Sequence, residues 1–105
     1  MKKEDLKEYK DKVPVNVMQW RAFGDDKGVM GVFKFALGKY GNVNSWRNRT
    51  EDSKERYEAA MQRHYFKFKS GEIIDPESGL NHWAAIAWNA LTVLEFMIED
   101  MEKEE

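Results

Sequence analysis

The stretch RHYFKFKSGEIIDPESGLNHWAAIAWNALTVLE, from Arg63 to Glu95, decides the fold of this chain. Its two ends carry apolar residues at helical spacing and therefore predict helices. Between them, Asp75-Pro76 and Ser78-Gly79 are turn-forming pairs. The segment thus predicts two helices joined by a structured loop.

The loop also holds the most chemically suggestive residues of the chain. Glu72, Asp75 and Glu77 lie within six positions, His64 precedes them and His82 follows them, and these two histidines are the only ones in the sequence. Carboxylates and imidazoles brought together from two helices are how a bundle builds a polar or metal site. The same acids would also be favourable as simple caps near a helix N-terminus.

Length and composition predict one small all-α domain, a bundle of three to four helices with an irregular N-terminal segment. The chain has 105 residues, of which 42% are hydrophobic and 13% aromatic, so it can bury a modest core. We divide it into an N-terminal extension (1–24), core helices (25–98) and an acidic tail expected to fray (99–105). The tail is expected to fray because its acids oppose the helix dipole.

Charge and cysteine content exclude several classes of function. The net charge of −2 gives no basic field that would attract a nucleic acid polymer. The absence of cysteine excludes disulfides and cysteine-based zinc sites. No apolar run approaches the roughly 18 residues of a membrane span, and MKKEDLKEYKDK is unlike a signal peptide. These features predict a cytoplasmic protein.

Three further segments complete the chain. In the N-terminal extension, residues 2–12 predict a short helix ended by Pro14, and residues 13–23 read equally well as extended or irregular chain. After a turn at 24–26, an apolar helical stripe ends at Gly41, a C′ residue. Glycines inside that helix weaken it or permit close approach of another backbone or a ligand. The stripe consists of Val29, Phe33, Ala36, Leu37 and Tyr40, and the internal glycines are Gly28, Gly31 and Gly38.

Trp46 and His64 each allow two interpretations. Trp46 lies between Arg47 and Arg49, where it could stack on a base, or it could close one end of the bundle. A helix over about 51–70 places His64 on a stripe with Tyr57 and Phe68, either as a hydrogen-bonded core residue or as a ligand-binding group.

The last helix, predicted over about 80–101, carries two stripes. We expect the apolar one to be the core face and the other, with His82 and Asn89, to meet polar partners, because burying such groups alone costs several kcal/mol. The expected core face consists of Trp83, Ala87, Ala90, Leu91, Leu94 and Ile98.

Two blocks of this sequence resemble the phage-encoded dATP/dGTP diphosphohydrolase N-terminal domain family, which is similar to the all-α MazG-type nucleotide pyrophosphohydrolases. The first is FALGKYGNVNSWR, over 35–47. The second is the opening stretch, in which RH, GE, D-x-ESG, H and N follow one another at the family's offsets. The resemblance spans about 28–95. One position departs from it, since Ala85 stands where the family commonly has a second histidine.

The resemblance implies hydrolysis of dGTP or dATP to the monophosphate and pyrophosphate, with Mg²⁺ or Mn²⁺, by a homo-oligomer. Oxygen ligands suit such cations, and the metal would activate a water. Implied metal ligands are Glu72, Asp75 and Glu77, with Glu58 from the preceding helix, and the catalytic set adds His82 to the three loop acids. Implied substrate-binding residues are Lys39, Trp46, Arg47, Arg63, His64 and Asn89. Two alternatives remain at this point: a nucleotide-binding protein without catalysis, which would sequester a nucleotide or act in counter-defence, and a helical protein-interaction module.

Overall fold

A computed structural model of the chain describes residues 19–42 and 44–104. These residues form helices α1 (Trp20–Gly24), α2 (Val29–Tyr40), α3 (Ser53–Lys69) and α4 (His82–Glu104), with a 3₁₀ turn at Ser45–Arg47. In this part of the chain the only β pairing is an isolated bridge between Ile74 and Asn81. The prediction of a small all-α bundle is confirmed. The expected helix over 2–12 lies outside the described residues. Residues 20–23, expected to be extended or irregular, are helical, and so is residue 24 of the expected turn.

The long antiparallel pair α3 and α4 forms the main body of the bundle, and α2 packs against α4. Their contact is largely aromatic. Tyr57 of α3 lies edge-on to Trp88 at 5.7 Å between centroids, and Phe33 of α2 meets the same indole at 5.8 Å. Phe96, 1% exposed, closes the other end beneath Trp46, with 6.0 Å between ring centroids. Trp46 therefore packs against the end of the bundle, the second of its two interpretations.

Glycines at the start of α2 permit the close approach of α1 and of the turn that follows it. A Cβ atom at Gly28 would overlap the carbonyl of Ala22, and one at Gly31 would overlap that of Asp26. The predicted close approach of another backbone is thus confirmed at these two positions. At the other end of α2, Gly41 has φ +71° and its N–H bonds the Leu37 carbonyl at 2.8 Å, as predicted for a C′ residue.

The prediction of which face α4 turns toward its own chain was wrong. The buried stripe is the one with His82, Asn89 and Thr92, and it also contains the apolar residues Ala84, Ile86 and Phe96. The stripe expected to form the core is largely exposed, with Leu94 at 52% and Trp83 at 46%. The reason is that α4 is apolar on two sides, and α3 with α2 can cover only one of them.

The acidic end of the chain, expected to fray, is helical as far as Glu104. Asp100 explains this difference. Its carboxylate accepts bonds from Arg49 at 2.7 Å and Lys54 at 2.9 Å, which offset its charge near the end of the helix. These bonds tie both the segment before α3, through Arg49, and the first turn of α3, through Lys54, to α4. None of the described helices has the length and apolar character needed to cross a membrane.

Candidate functional site

The loop between α3 and α4 is held in one conformation by its own hydrogen bonds. Asp75, 8% exposed, accepts the Glu77 N–H through Oδ1 at 3.1 Å and the Ser78 hydroxyl through Oδ2 at 3.1 Å. Its backbone N–H bonds the Leu80 carbonyl at 2.8 Å, and Gly79 takes φ +75°. The predicted turn is confirmed, and Asp75 is its central acceptor.

The cap of α4 comes from a residue outside the acid cluster. The Asn81 side chain accepts the Trp83 N–H at 2.9 Å, as an N-cap residue does. Glu72 bonds a side chain of the first turn, and Glu77 bonds Lys39 of α2. Of the three loop acids, only Asp75 therefore serves mainly to stabilise the loop.

A line of three side chains runs from the loop into the bundle. Glu72 Oε2 lies 2.9 Å from His82 Nε2, and His82 Nδ1 lies 2.8 Å from His64 Nδ1. The His82 side chain is fully buried, whereas that of Glu72 is about two-fifths exposed. The two histidines expected to meet near the loop are therefore in direct contact, and the polar partners expected for the His82 stripe are Glu72 and His64.

A cavity of about 690 Å³ opens beside this line, between α2, α3, the loop and α4. Its size falls within the range of small-molecule sites. Six of the residues proposed from the sequence line it: Lys39, Arg63, His64, Asp75, Glu77 and Asn89. The remaining proposed residues do not line it: Trp46, Arg47, Glu58, Glu72 and His82. Of these, Glu72 and His82 are connected to the cavity by hydrogen bonds through His64. Arg47 instead stacks on Trp46, with 4.4 Å from the guanidinium carbon to the ring centroid.

Several cavity residues escaped the sequence reasoning. Arg56 lies seven residues before Arg63, two turns earlier on α3, so both guanidinium groups line the cavity. The seven-residue spacing of the two arginines was the signal in the sequence that could have identified Arg56. Ala59 and Ala60 lie between them and leave the space open, as Ala85 does on α4. The aromatic part of the lining comes from Phe35, Tyr40, Tyr57 and Trp88.

The charges around the cavity suit an anionic ligand. Lys39, Arg56 and Arg63 bring three cations, against the two carboxylates Asp75 and Glu77. Lys39 Nζ lies 2.6 Å from Glu77 Oε1, and this hydrogen bond raises the pKa of the lysine. Burial lowers the pKa of His64, while the nearby charge of Asp75 acts in the opposite direction. Lysine and arginine remain protonated at neutral pH, so all three cations are available to phosphate oxygens.

One donor in the lining has no protein partner among the described residues. Nε1 of Trp88 is buried and makes no hydrogen bond there. By contrast, the amide nitrogen of the Asn89 side chain has a partner, because it donates to the Ala85 carbonyl at 2.7 Å.

The residues do not form a self-contained metal cage. Within 19–42 and 44–104, no group of three or more His, Asp or Glu side chains is arranged to hold an ion. The three loop acids diverge, toward His82, into the turn and toward Lys39. A magnesium-type ion often needs only one or two carboxylates when substrate phosphates and water supply the other oxygens. Of the three loop acids, Asp75 and Glu77 line the cavity.

Comparison with known protein families gives a match over nearly the whole chain. A family model described as "dATP/dGTP diphosphohydrolase, N-terminal" matches residues 2–105. The match begins well before residue 28, where the resemblance in the sequence starts. No curated protein and no solved structure matches the chain.

Proposed function

Because the chain belongs to the dATP/dGTP diphosphohydrolase N-terminal domain family, we propose that its cavity binds a purine deoxynucleoside triphosphate. We further propose that the protein hydrolyses this nucleotide to the monophosphate and pyrophosphate, with Mg²⁺ or Mn²⁺. The observation that carries the proposal is the cavity lining, in which three cations, two carboxylates and four aromatic rings share one space.

Each class of lining residue has a counterpart in such a ligand. Lys39, Arg56 and Arg63 match the negative phosphate oxygens, and a guanidinium can contact two oxygens at once. The aromatic side chains of Tyr40 and Tyr57 offer flat apolar surface to a purine. The exposed Lys39–Glu77 pair can exchange its carboxylate for a phosphate, because exposed ion pairs are weak.

The metal enters this proposal together with the substrate. Asp75 and Glu77 would hold it alongside phosphate oxygens and water, which is the usual manner for magnesium at a nucleotide. When bound, the ion would offset phosphate charge and favour ionisation of a water. The proposed substrate is a cytoplasmic metabolite, so we place the protein in the cytoplasm, that of the host if the chain is phage-encoded.

A homo-oligomer completes the proposal, and the exposed stripe of α4 is its basis. Ala87, Leu91, Leu94, Ile98 and Met101 are spaced 4-3-4-3, the pattern of helices that pack knobs into holes. A helix that is apolar on two sides requires a second partner. We assign that partner as a second copy of the chain.

Charge selects the antiparallel arrangement of the two copies. From His82 to Leu94, α4 carries no Asp, Glu, Lys or Arg, while Glu95, Glu99 and Glu102 follow in its second half. Parallel helices would bring acids against acids. An antiparallel pair places each acidic half against the charge-free half of its partner, close to Lys67 and Lys69 at the end of α3.

The test of the enzymatic proposal is a product assay. The protein is incubated with each of the four deoxynucleoside triphosphates and Mn²⁺ or Mg²⁺, and released pyrophosphate is measured. We expect pyrophosphate from dATP or dGTP and none above background from dCTP or dTTP. The absence of product from every nucleotide would contradict hydrolysis.

A second candidate, a nucleotide-binding protein without catalysis, is favoured by one observation. Ala85 lines the cavity where the family commonly has a histidine, so a polar group at that point is replaced by a methyl. This candidate predicts a rise in melting temperature with a purine nucleotide and no pyrophosphate. A helical protein-interaction module predicts neither a rise in melting temperature with a nucleotide nor release of pyrophosphate.

A further inference from the structure

The contact between the two histidines restricts where their protons lie. His82 Nδ1 and His64 Nδ1 are 2.8 Å apart, a hydrogen-bond distance between two atoms of the same kind. One of them must carry the hydrogen and the other must offer a lone pair, since a neutral imidazole has one donor and one acceptor nitrogen. The distance alone leaves the direction of this bond open.

Glu72 and the burial of His82 together set that direction. An ionised carboxylate only accepts hydrogen bonds, so His82 Nε2, at 2.9 Å from Glu72 Oε2, must be the protonated nitrogen. The His82 ring is fully buried, whereas the carboxylate of Glu72 is about two-fifths exposed, so water weakens the pairing that a charged ring would need. A neutral ring protonated on Nε2 has its lone pair on Nδ1, so His82 accepts a hydrogen bond and His64 donates it.

The remaining ring nitrogen of His64 then has a defined chemical state. With its hydrogen on Nδ1, His64 carries a lone pair on Nε2. No described residue bonds this atom, and the side chain lines the cavity. The line therefore ends in a free proton acceptor on the cavity side.

We infer that Glu72 and His82 are positioning residues that hold His64 in the Nδ1–H tautomer, and that His64 Nε2 is the proton acceptor for water in the cavity. This role rests on the proposed hydrolysis. In that reaction the water oxygen bonds to phosphorus, the bridging P–O bond between the α- and β-phosphates breaks, and pyrophosphate leaves with the bonding electrons. The water proton passes to His64 Nε2, and the imidazolium later releases it to solvent.

The surroundings of His64 fit a base that is neutral before the reaction and charged after it. Burial lowers the pKa of this ring, and His82, Lys67 and Arg63 act in the same direction. Asp75, from the loop, acts in the opposite direction. A carboxylate–imidazole pair that orients a reacting group is a recurrent catalytic arrangement, extended here by a second imidazole.

The first experiment reads the tautomers directly, without nucleotide or metal. Two-bond ¹H–¹⁵N correlation spectra of histidine-labelled protein distinguish protonated from unprotonated ring nitrogens. Because the chain has only two histidines, His64→Gln assigns both sets of signals. At neutral pH we expect His82 to be protonated on Nε2 alone and His64 on Nδ1 alone. A His82 protonated on Nδ1, or on both nitrogens, would overturn the inference.

The second experiment tests whether the line acts on the reaction. Glu72→Gln removes the charge while keeping the shape, and Glu55→Gln makes the same change at an exposed site of α3. We expect Glu72→Gln to lower kcat at least tenfold with little change in KM, to shift the pH profile of kcat, and to perturb the His82 signals. Glu55→Gln should change none of these. His64→Gln should lower kcat about 10²-fold or more, the usual contribution of a general base.

The two experiments separate this inference from the proposed function. A wild-type protein that releases no pyrophosphate would contradict the enzyme, while the spectra would still decide the tautomers. An active wild type whose kcat and pH profile are unchanged by Glu72→Gln would overturn the positioning role and leave the enzyme standing.

Discussion

Lys39 of α2 and Glu77 of the loop, 38 positions apart in sequence, form an ion pair of 2.6 Å at the edge of the cavity. Both side chains remain substantially exposed. The pair therefore keeps a lysine at the cavity without burying it, so its charge stays available to a ligand.

This relationship predicts that Lys39→Gln weakens nucleotide binding without destabilising the protein. Loss of one phosphate contact should raise the Kd for dATP or dGTP about tenfold, because a charge-assisted hydrogen bond contributes about 1.5 kcal/mol or more. Titration calorimetry measures the change. The matched control is Lys34→Gln on the same helix as Lys39, which removes an exposed pair with Asp26 and should leave the Kd unchanged. Equal weakening in both variants would point to net charge alone.

Asp75→Asn separates loop stabilisation from metal binding. Asn retains one acceptor oxygen for the Glu77 N–H, so the loss of stability should be about 1 kcal/mol. If Asp75 also contributes to binding of a metal–nucleotide complex, the rise in melting temperature caused by Mn²⁺ with a purine nucleotide should largely disappear. We would measure melting temperatures of both proteins with and without that pair of ligands. An equal rise in wild type and variant would remove Asp75 from the metal site.

The exposed stripe of α4 predicts a variant that changes assembly but not folding. Leu94→Glu places a charge in the proposed interface, since its side chain is about half exposed within one chain. Light scattering should show a smaller mass than for the wild type, with the helical circular dichroism retained. Met30→Glu, at an exposed apolar site on α2, should leave the mass unchanged. A wild-type monomer at micromolar concentration would contradict the assembly.

A core substitution on the same helix should behave in the opposite way. Phe96 is almost fully buried beneath Trp46 and beside Tyr57. Phe96→Ala should lower the free energy of unfolding by about 3–5 kcal/mol, the usual result of emptying a buried aromatic site. Urea denaturation measures this loss, and a change below about 1 kcal/mol would mean that this end of the bundle is not packed as described.

The depressed pKa of His64 gives stability a defined pH dependence. Burial favours the neutral ring, so the unfolded chain binds a proton more readily than the folded one. The stabilisation that the neutral His64 ring contributes to the fold is therefore fully present above the unfolded pKa of about 6.5. This stabilisation is lost as the pH falls through the lower pKa of the folded state. Urea denaturation between pH 5 and 8 should show lower stability at the acidic end. His64→Gln should have a shallower slope, and the same slope in both proteins would exclude His64 as the cause.

Residue types and their spacing were enough to predict most of the local structure. The 3–4 spacing of apolar residues predicted α2, α3 and α4, Gly41 predicted the end of α2, and the Asp75-Pro76 and Ser78-Gly79 pairs predicted the loop. These features depend on hydrogen bonds and backbone preferences within a few residues, so neighbours in the chain are enough to predict them. The family resemblance is equally local, since it rests on residue types at fixed offsets, and the match to the family model confirms it.

The site was decided by the tertiary structure. Spacing brought Glu72, Asp75 and Glu77 together in the chain, but a loop turns successive side chains in different directions, and these three diverge to His82, to the turn itself and to Lys39. Only the antiparallel packing of α3 on α4 brings His64 to His82, 18 residues away. The same packing chose the buried face of α4. Since both sides of that helix are apolar enough to be covered, periodicity could not distinguish the face that α3 covers from the one left for a partner.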